Sequence, residues 1–381
     1  MTYLTQDPKP EEEFITENKL NEGSYLVYLD VWERHLTYVE DDYMREKALS
    51  GADTASRAQI VWQVRVIHAD NISIQQHGAK LELDAIEDSS GLKYSSFINA
   101  LTTDRKTHPG PGQLKARARK ASGQDNEPCL TAPAASYRGA ENQLYRVEIH
   151  KGSADEDGPT FKWSRENGSV VFSVTKVSDT IITLEHLGRD DRFGLKVNDW
   201  VEVLDDDVVL RNEANQLLQV TAVDQENFQV TLSDVAPITF HSNKHPYLRR
   251  WDQKTNADKD GVPVKEGDGT KEDDWIALED GVEILFQRPP GNAVVREEVA
   301  EVEVLVQTPR SVYQPGDYWL IPARTNTNDV EWPVDADGER IAQTPHGVEH
   351  HYAPLAIINV GSQGDPVDLR RQLKQLWDPA S

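Results

Sequence analysis

The stretch Asn142–Val174 constrains the fold of this chain more than any other. From Leu144 to His150, polar residues alternate with apolar or aromatic ones, the period of two that is typical of a half-buried strand. Beyond an acidic loop, Gly152–Pro159, two further strand-like runs flank Glu166-Asn167-Gly168. Asn-Gly between two such runs predicts a hairpin turn with positive φ at both positions. The stretch therefore predicts paired strands, and no catalytic motif is visible in it.

Other segments extend this β pattern. Ser24–Tyr38 and Gln59–Ala69 have the composition of long strands. Five short β runs with turn residues between them predict a small barrel, and Val197–Val203 resembles the opening strand of SH3-like barrels. The runs are Ile181–Leu184, Trp200–Leu204, Val208–Arg211, Leu217–Val223 and Phe228–Leu232. We therefore predict a mostly β, multi-domain sandwich and barrel scaffold with an inserted SH3-like small barrel and few short helices.

The predicted organisation has five parts. A flexible lead-in covers residues 1–23, a β domain covers 24–178 and continues over 237–362, and the small barrel, 179–236, interrupts it. Within the second part, the hydrophilic residues 253–274 predict an exposed, mobile loop with Trp251 and Trp275 packed beneath it. Residues 363–381 form a tail with a short helix. Further elements are predicted at Gln75–Leu101 (helix), Val299–Val306 (strand) and Leu369–Trp377 (the tail helix).

The charge balance excludes some classes of partner. The chain has 65 acidic and 40 basic residues, a net charge of −25. Non-specific nucleic-acid binding needs a positive field, so we predict no nucleic-acid partner. No apolar run reaches the ~20 residues of a membrane helix, and the N-terminus lacks the apolar core of a secretory signal. Cys129 is the only cysteine, which excludes an intramolecular disulfide. We expect synthesis in the cytoplasm.

Eight segments, taken together and in order, resemble one bacterial family. They are LDVWER (29–34), AQIVWQV (58–64), NQLYRVEIH (142–150), FKWSRENG (161–168), LRRWD (248–252), LEDG (278–281), GDYWLIPAR (316–324) and PHGVEHHY (345–352). The family is found with contractile injection systems and phage-tail-like gene clusters. The resemblance spans about residues 24–360. It implies a non-enzymatic structural component of a contractile, tail-like particle, placed at its baseplate, fibre or cap.

The resemblance also implies partners and a location. The partners would be other subunits of the particle and further copies of this chain in a homo-oligomer, and the particle would be released from the cell. Members of the family usually begin with a segment rich in Gly, Gln, Asp and Trp. Nothing similar precedes Tyr25. If that segment docks the protein to a baseplate, we expect this chain either to attach in a different way or to be a cut-down version.

Two groups of side chains are candidate metal ligands, although we predict no cofactor. His346, His350 and His351 have imidazoles that could bind zinc, and the alternative is a loop in which they bond to the backbone. The second group is Asp335, Asp337 and Glu339 around Gly338, whose alternating carboxylates could bind calcium. The alternative for that group is a solvated acidic turn.

One basic tract, Thr102–Lys120, stands out in this acidic chain. Its cations could bind an acidic surface of a partner, and the alternative is a solvated loop, because Pro109–Gly112 break regular structure. The candidate partner-binding residues are Arg105, Lys106, Lys115, Arg117, Arg119 and Lys120.

Tryptophans raise a different possibility, because aromatic faces stack on sugar rings. Trp332 lies in a polar segment and is predicted to be exposed and to contact carbohydrate. Trp32, Trp62, Trp163 and Trp200 lie in strand patterns and are predicted to be core residues. The alternative functions are therefore a carbohydrate-binding or carbohydrate-active β protein, with a cell-surface glycan as partner, and a calcium-stabilised adhesin.

Overall fold

The structure is a computed structural model of the 381-residue chain. It describes residues 15–16, 19–51, 54–68, 110–119, 137–153, 155, 157–211, 213–254, 258, 260–288, 312–361 and 365–370. The elements predicted at Gln75–Leu101 and Val299–Val306 lie outside these residues, as does nearly all of the predicted helix Leu369–Trp377. Among the described residues, no helix is both long and apolar enough to cross a membrane.

Twenty strands account for most of the regular structure. In chain order they are β1 (Ile15–Thr16), β2 (Lys19–Leu20), β3 (Gly23–Leu36), β4 (Arg57–His68), β5 (Gln113–Ala118), β6 (Gln143–Lys151), β7 (Thr160–Ser164), β8 (Val171–Ser178), β9 (Ile181–Leu184), β10 (Trp200–Leu204), β11 (Leu217–Asp224), β12 (Gln229–Leu232), β13 (Tyr247–Trp251), β14 (Val262–Pro263), β15 (Ile276–Ala277), β16 (Val282–Gln287), β17 (Tyr318–Arg324), β18 (Asp329–Val330), β19 (His351–Val360) and β20 (Val367–Asp368).

Helices are short. Within the described ranges, one α-helix, α1, spans Asp206–Leu210, and single 3-10 turns lie at Asp42–Met44, Lys47–Leu49, Ser242–Lys244 and Glu272–Asp274. Strands make up 47% of the structure and helices 7%. The predicted fold class, mostly β with a small barrel and few helices, is therefore confirmed.

The longest strands form a ribbon-like sheet in the order β20-β19-β3-β4. β3 and β4 pair without interruption from Tyr25 opposite His68 to Leu36 opposite Arg57. Beyond β3 the chain packs on the barrel, where the Tyr38 ring is buried and its hydroxyl lies 2.9 Å from His186 Nε2. Both long strands predicted in this region are confirmed.

The barrel is closed and has six strands in the order β10-β11-β12-β9-β8-β13. Two of them, β8 and β13, lie outside the predicted limits 179–236, because closure recruits strands on both sides of that segment. The predicted strand Val208–Arg211 is wrong, since α1 occupies most of it. Asp205 caps this helix by accepting the backbone N–H of Val208 at 3.1 Å. Asp is a preferred residue at this position, because its carboxylate accepts an otherwise unpaired N–H of the first turn.

A five-stranded sheet, β14-β7-β6-β17-β18, and a three-stranded sheet, β15-β16-β5, share a second core. Two predicted loops contribute strands to them. β14 comes from the segment 253–274, where Val262 is buried, and β5 comes from the basic tract. The prediction of an exposed, mobile loop at 253–274 is therefore wrong for these residues, and so is the prediction that no regular structure forms in the basic tract.

The Asn-Gly turn has the predicted backbone but a different role. Asn167 has φ 55° and Gly168 has φ 66°, so both positions are left-handed. The flanking strands do not form a hairpin, because β7 pairs with β6 and β14 while β8 pairs with β9 and β13. The turn is instead the corner at which the chain leaves the five-stranded sheet and enters the barrel.

This corner gives a first prediction. Gly168→Val should lower the free energy of unfolding by ~1 kcal/mol or more, because a β-branched residue is strained at positive φ. A Cβ at this position would meet nothing closer than Arg146 Cδ at 3.5 Å, so the cost is conformational rather than steric. Gly168→Asn is the matched control, and urea unfolding should show a smaller loss for it. Equal stability of the Val variant and the wild type would contradict the prediction.

Candidate functional site

One side of the β3–β4 ribbon carries apolar side chains in register. Residues opposite each other in an antiparallel pair share a face, and here Val31 pairs with Trp62 and Glu33 pairs with Ile60. Ile60 is 67% exposed and Trp62 57% exposed. We call this surface the ribbon face, and its apolar members are Val27, Leu29, Val31, Ile60, Trp62, Val64 and Val66. The prediction that Trp62 is a core residue is wrong.

The opposite side of the ribbon buries a charged group. Asp30 is fully buried, and its carboxylate lies 2.7 Å from His350 Nδ1 and 3.0 Å from Arg65 Nε. The His350 ring stacks on Trp32 at 5.0 Å. A buried carboxylate needs such partners, because desolvation makes an unpaired charge costly. A lone Asp in the apolar run of β3 is the signal that sequence reasoning missed.

A second buried charge group joins the five-stranded sheet to the barrel. Lys162 Nζ on β7 lies 2.6 Å from Glu202 Oε2 on β10 and 3.3 Å from Glu148 Oε1 on β6. The same Glu202 oxygen accepts the indole N–H of Trp251 at 3.0 Å. All four side chains are buried, so the two parts meet through ion pairs rather than through a purely apolar contact. We call these four residues the junction cluster.

Protonation in this region follows from burial and charge. Burial by itself would raise the pKa of Glu148, but Arg146, Lys162 and Arg249 outweigh it and lower that pKa to about 2. Burial, and after it the charge of Lys162, lower the pKa of His150 to about 4. Near neutral pH, Glu148 is therefore a carboxylate and His150 is neutral.

A small open cavity, the junction cleft, lies beside the junction cluster. Asp252 organises it, since its carboxylate accepts the backbone N–H of Arg165 at 2.9 Å and lies 3.4 Å from Arg250 Nε. Arg250 Nη1 in turn donates to the carbonyls of Arg192 and Gly194, each at 2.7 Å. These contacts fix one wall of the cleft to the end of β13 and the other to the barrel loop that precedes β10.

The three histidines predicted as zinc ligands are not brought together. His350 is paired with Asp30, the His351 side chain is 71% exposed, and His346 bonds through its backbone to Tyr318. Within the described ranges, no three His, Cys, Asp or Glu side chains form a group that could hold a metal ion. The candidate calcium residues Asp335, Asp337 and Glu339 form a tight turn, in which Asp335 Oδ1 accepts the N–H groups of the other two at 3.0 and 2.9 Å.

The basic tract is only partly described, since Arg105, Lys106 and Lys120 lie outside the described residues. Lys115 and Arg117 lie on β5 and Arg119 follows it. Arg117 is not a free cation, because its guanidinium contacts Glu272 at 2.6 Å and Glu283 at 2.9 Å and lies over the Trp275 ring. The Arg119 side chain is 56% exposed, with Glu283 at 3.6 Å.

Trp332 does not have the predicted exposure. Its side chain is buried, and its indole N–H donates to the carbonyl of Ile341 at 2.8 Å. The ring belongs to the hydrophobic core shared by the two sheets. Trp332 is therefore a core residue, and its predicted role in carbohydrate contact is wrong.

Comparison with known sequences gives a family. The sequence profile of DUF6519, a family of unknown function, matches residues 13–97 and 75–365. The chain belongs to this family. No curated protein and no solved structure matches it.

The junction cluster gives a second prediction. Lys162→Met should lower the free energy of unfolding by ~3–5 kcal/mol, because Glu148 and Glu202 stay buried but lose the positive charge of the lysine. Adding Glu202→Gln to this variant should recover part of the loss, since one of the two charges is then removed. Lys176→Met on the exposed side of β8 is the control and should change stability by less than ~0.5 kcal/mol. Urea unfolding measures all three, and a loss below ~1 kcal/mol for Lys162→Met would argue against a joining role.

A third prediction concerns pH. The unfolded chain protonates His150 near pH 6.5, whereas the folded chain protonates it only near pH 4. The unfolded state therefore binds more protons in this window, and stability falls as the pH falls through it. One pKa unit corresponds to about 1.4 kcal/mol, so His150 contributes a loss on the order of 3 kcal/mol. The pKa of Asp317, raised by burial to about 6, acts in the opposite direction.

A difference between variants isolates the histidine. The free energy of unfolding should decline less steeply between pH 6.5 and 4 in His150→Gln than in the wild type. His351→Gln, at an exposed position, should follow the wild-type slope. Parallel curves for wild type and His150→Gln would show that this imidazole is not protected from protonation.

Proposed function

We propose that this chain is a non-enzymatic structural subunit that docks on a neighbouring subunit through the ribbon face. The observation that carries the proposal is the exposure of Ile60 and Trp62 side by side on a long paired strand. Contiguous exposed apolar side chains are a mark of interaction surfaces. The setting, a contractile, phage-tail-like particle, rests on the resemblance of eight sequence segments to a family found with such systems.

The ribbon face has the arrangement expected of a docking site. Tryptophan is enriched among the residues that dominate interface energies, and burial of its side chain removes ~150–250 Å² from water. Half-buried valines on both strands surround Trp62 and can exclude water around it. Because the face lies on regular β-structure, little ordering entropy is lost on binding, which favours affinity.

The buried charges support a scaffold rather than an active site. Lys162, Glu148 and Glu202 contact one another, and Asp30 contacts His350 and Arg65. These contacts join strands distant in sequence, and the groups are enclosed rather than presented to a substrate. The ribbon face also replaces the loops 253–274 and 102–120 as the surface offered to neighbours.

Charge indicates what kind of subunit binds at this face. A net charge of −25 opposes contact between two copies of this chain. We therefore take the partner at the ribbon face to be a different, less acidic subunit. The homo-oligomer implied by the resemblance stays a prediction and would use another surface.

A second candidate, carbohydrate binding, is favoured by the same Trp62, the exposed tryptophan among those that the structure describes. Its ring could stack on a sugar, with Glu33 on the same face. A glycan array separates the two functions. Binding that is lost in Trp62→Ser would favour the carbohydrate function, and an array without binding leaves only the docking function.

The docking function gives a fourth prediction. A strain that lacks the chain is complemented with wild type or with Ile60→Ser/Trp62→Ser, and purified particles are analysed by mass spectrometry and electron microscopy. The double variant should be incorporated at least ~10-fold less than the wild type, because removal of interface anchors costs ~2 kcal/mol or more. Ile181→Ser, at an exposed barrel position, is the control and should be incorporated normally.

Two outcomes would contradict the proposal. Normal incorporation of the double variant would remove the ribbon face from the interface. Particles that never contain the wild-type chain, and that assemble equally well without it, would remove the tail-like setting. Circular dichroism and melting of the purified variants check that both remain folded.

A further inference from the structure

The junction cleft is a cavity of about 100 Å³, with room for a few water molecules or one small ligand. Three parts of the chain form it: the turn after β7 with Arg165, the loop 191–199 of the barrel, and the residues 250–254 at the end of β13. It shares no residue with the ribbon face, so an inference about it does not rest on the docking proposal.

The side chains lining the cleft are mainly donors of hydrogen bonds. Five cationic residues line it against three aspartates, in a chain whose net charge is −25. Part of this positive charge is already balanced, since Arg165 pairs with Glu279 at 2.7 Å and Arg192 pairs with Glu166. The Lys196 ammonium lies 3.9 Å from a carboxylate oxygen of Asp191, and Lys254 is exposed.

Two buried side chains in this lining keep donors without an acceptor. Gln253 is 1% exposed, and its Oε1 accepts the backbone N–H of Trp163 at 3.3 Å. That bond fixes the orientation of the amide, and its Nε2 has no hydrogen-bond acceptor within the described part of the chain. Arg250 is 4% exposed, and its Nη2 likewise has none there, although Nη1 has two.

Unsatisfied buried donors are costly, at ~1–3 kcal/mol each and more for a charged group. Both missing partners are acceptors, and both residues line the same cavity. The carboxylates nearby are engaged: Asp252 with Arg165 and Arg250, and Glu166 with Arg192. The group that would complete the cleft therefore carries at least two acceptor oxygens and is small.

We propose that the junction cleft is a binding site for a small oxyanion, a phosphate or a carboxylate, held between Arg250 and Gln253 with Lys196 and Lys254 at its mouth. Guanidinium groups recognise both anions through paired N–H donors. Carboxylate and phosphate share this chemistry and differ in source: a phosphate is free or part of an ester, and a carboxylate belongs to a side chain or chain terminus of a partner.

Titration calorimetry of the full chain with sodium phosphate and with sodium acetate tests the site, with sodium chloride at equal ionic strength as reference. Saturable binding of phosphate but not acetate identifies a phosphate site. Saturable binding of acetate but not phosphate identifies a carboxylate site. Saturable binding of either supports the proposal. If neither anion binds beyond the chloride reference, the site does not exist.

Variants localise the binding. Gln253→Glu replaces a donor by a negative charge and should weaken binding at least ~10-fold, as expected for lost hydrogen bonds to a charged ligand. Lys196→Gln/Lys254→Gln alters only the mouth, so it stays folded even if the first variant does not, and should weaken binding a few fold. Lys176→Gln, an exposed cation on β8, should bind as the wild type does. Wild-type affinity in the mouth variant and in any folded Gln253→Glu protein would overturn the assignment.

Discussion

The contact between the five-stranded sheet and the barrel depends on one buried ammonium group. Lys162 lies between carboxylates of the five-stranded sheet and the barrel. Charges withdrawn from water are costly unless they are paired and bonded, so this contact tolerates little displacement. An apolar contact between the same two parts would tolerate sliding. The ion pairs instead specify one relative position, and Trp251, which donates to the same Glu202 oxygen, holds β13 in that position.

The position of Lys162 follows from the covering of β7 on both sides. All five residues of β7 are buried. Phe161 and Trp163 pack into the core shared by the two sheets, while Lys162, between them, contacts Glu202 of the barrel. After β7, the backbone N–H of Arg165 donates to the Asp252 carboxylate. The junction cleft therefore forms next to the ion pairs of Lys162. The corner at Gly168 completes this path, because the chain must turn sharply there to enter β8.

Local pattern predicted the strands but not their partners. Alternation located β3, β4 and β6, and Asn-Gly chemistry gave the positive φ of Asn167 and Gly168, since both depend on neighbouring residues alone. Barrel closure joins β8 to β13 across about seventy residues of chain, and His350 meets Asp30 across 320. No local signal specifies such pairings, which is why the barrel limits and the role of His350 could not be derived from the sequence.

Tryptophan exposure could not be predicted for a related reason. Trp62 and Trp332 have the reverse of their predicted exposures, because strand pattern identifies a face but not what covers it. Trp62 lies on a side of the ribbon that is partly exposed, whereas Trp332 packs into the core shared by the two sheets. The composition therefore gives the number of aromatic residues, whereas the packing of the folded chain decides which of them are exposed.

The ribbon is held against the barrel, which links the two proposed surfaces in space. Arg34 Nη2 near the end of β3 lies 2.6 Å from Asp206 of α1, and Arg45 Nη2 contacts both oxygens of Glu185, at 2.7 and 2.8 Å. Tyr38 is buried between them against Val171 and Leu204. The partly exposed Arg45–Glu185 pair contributes little by itself, whereas the Arg34–Asp206 pair is largely shielded from water, and the buried Tyr38 ring adds apolar area to the contact. The ribbon that carries the proposed docking face is therefore joined to the barrel, one loop of which lines the junction cleft.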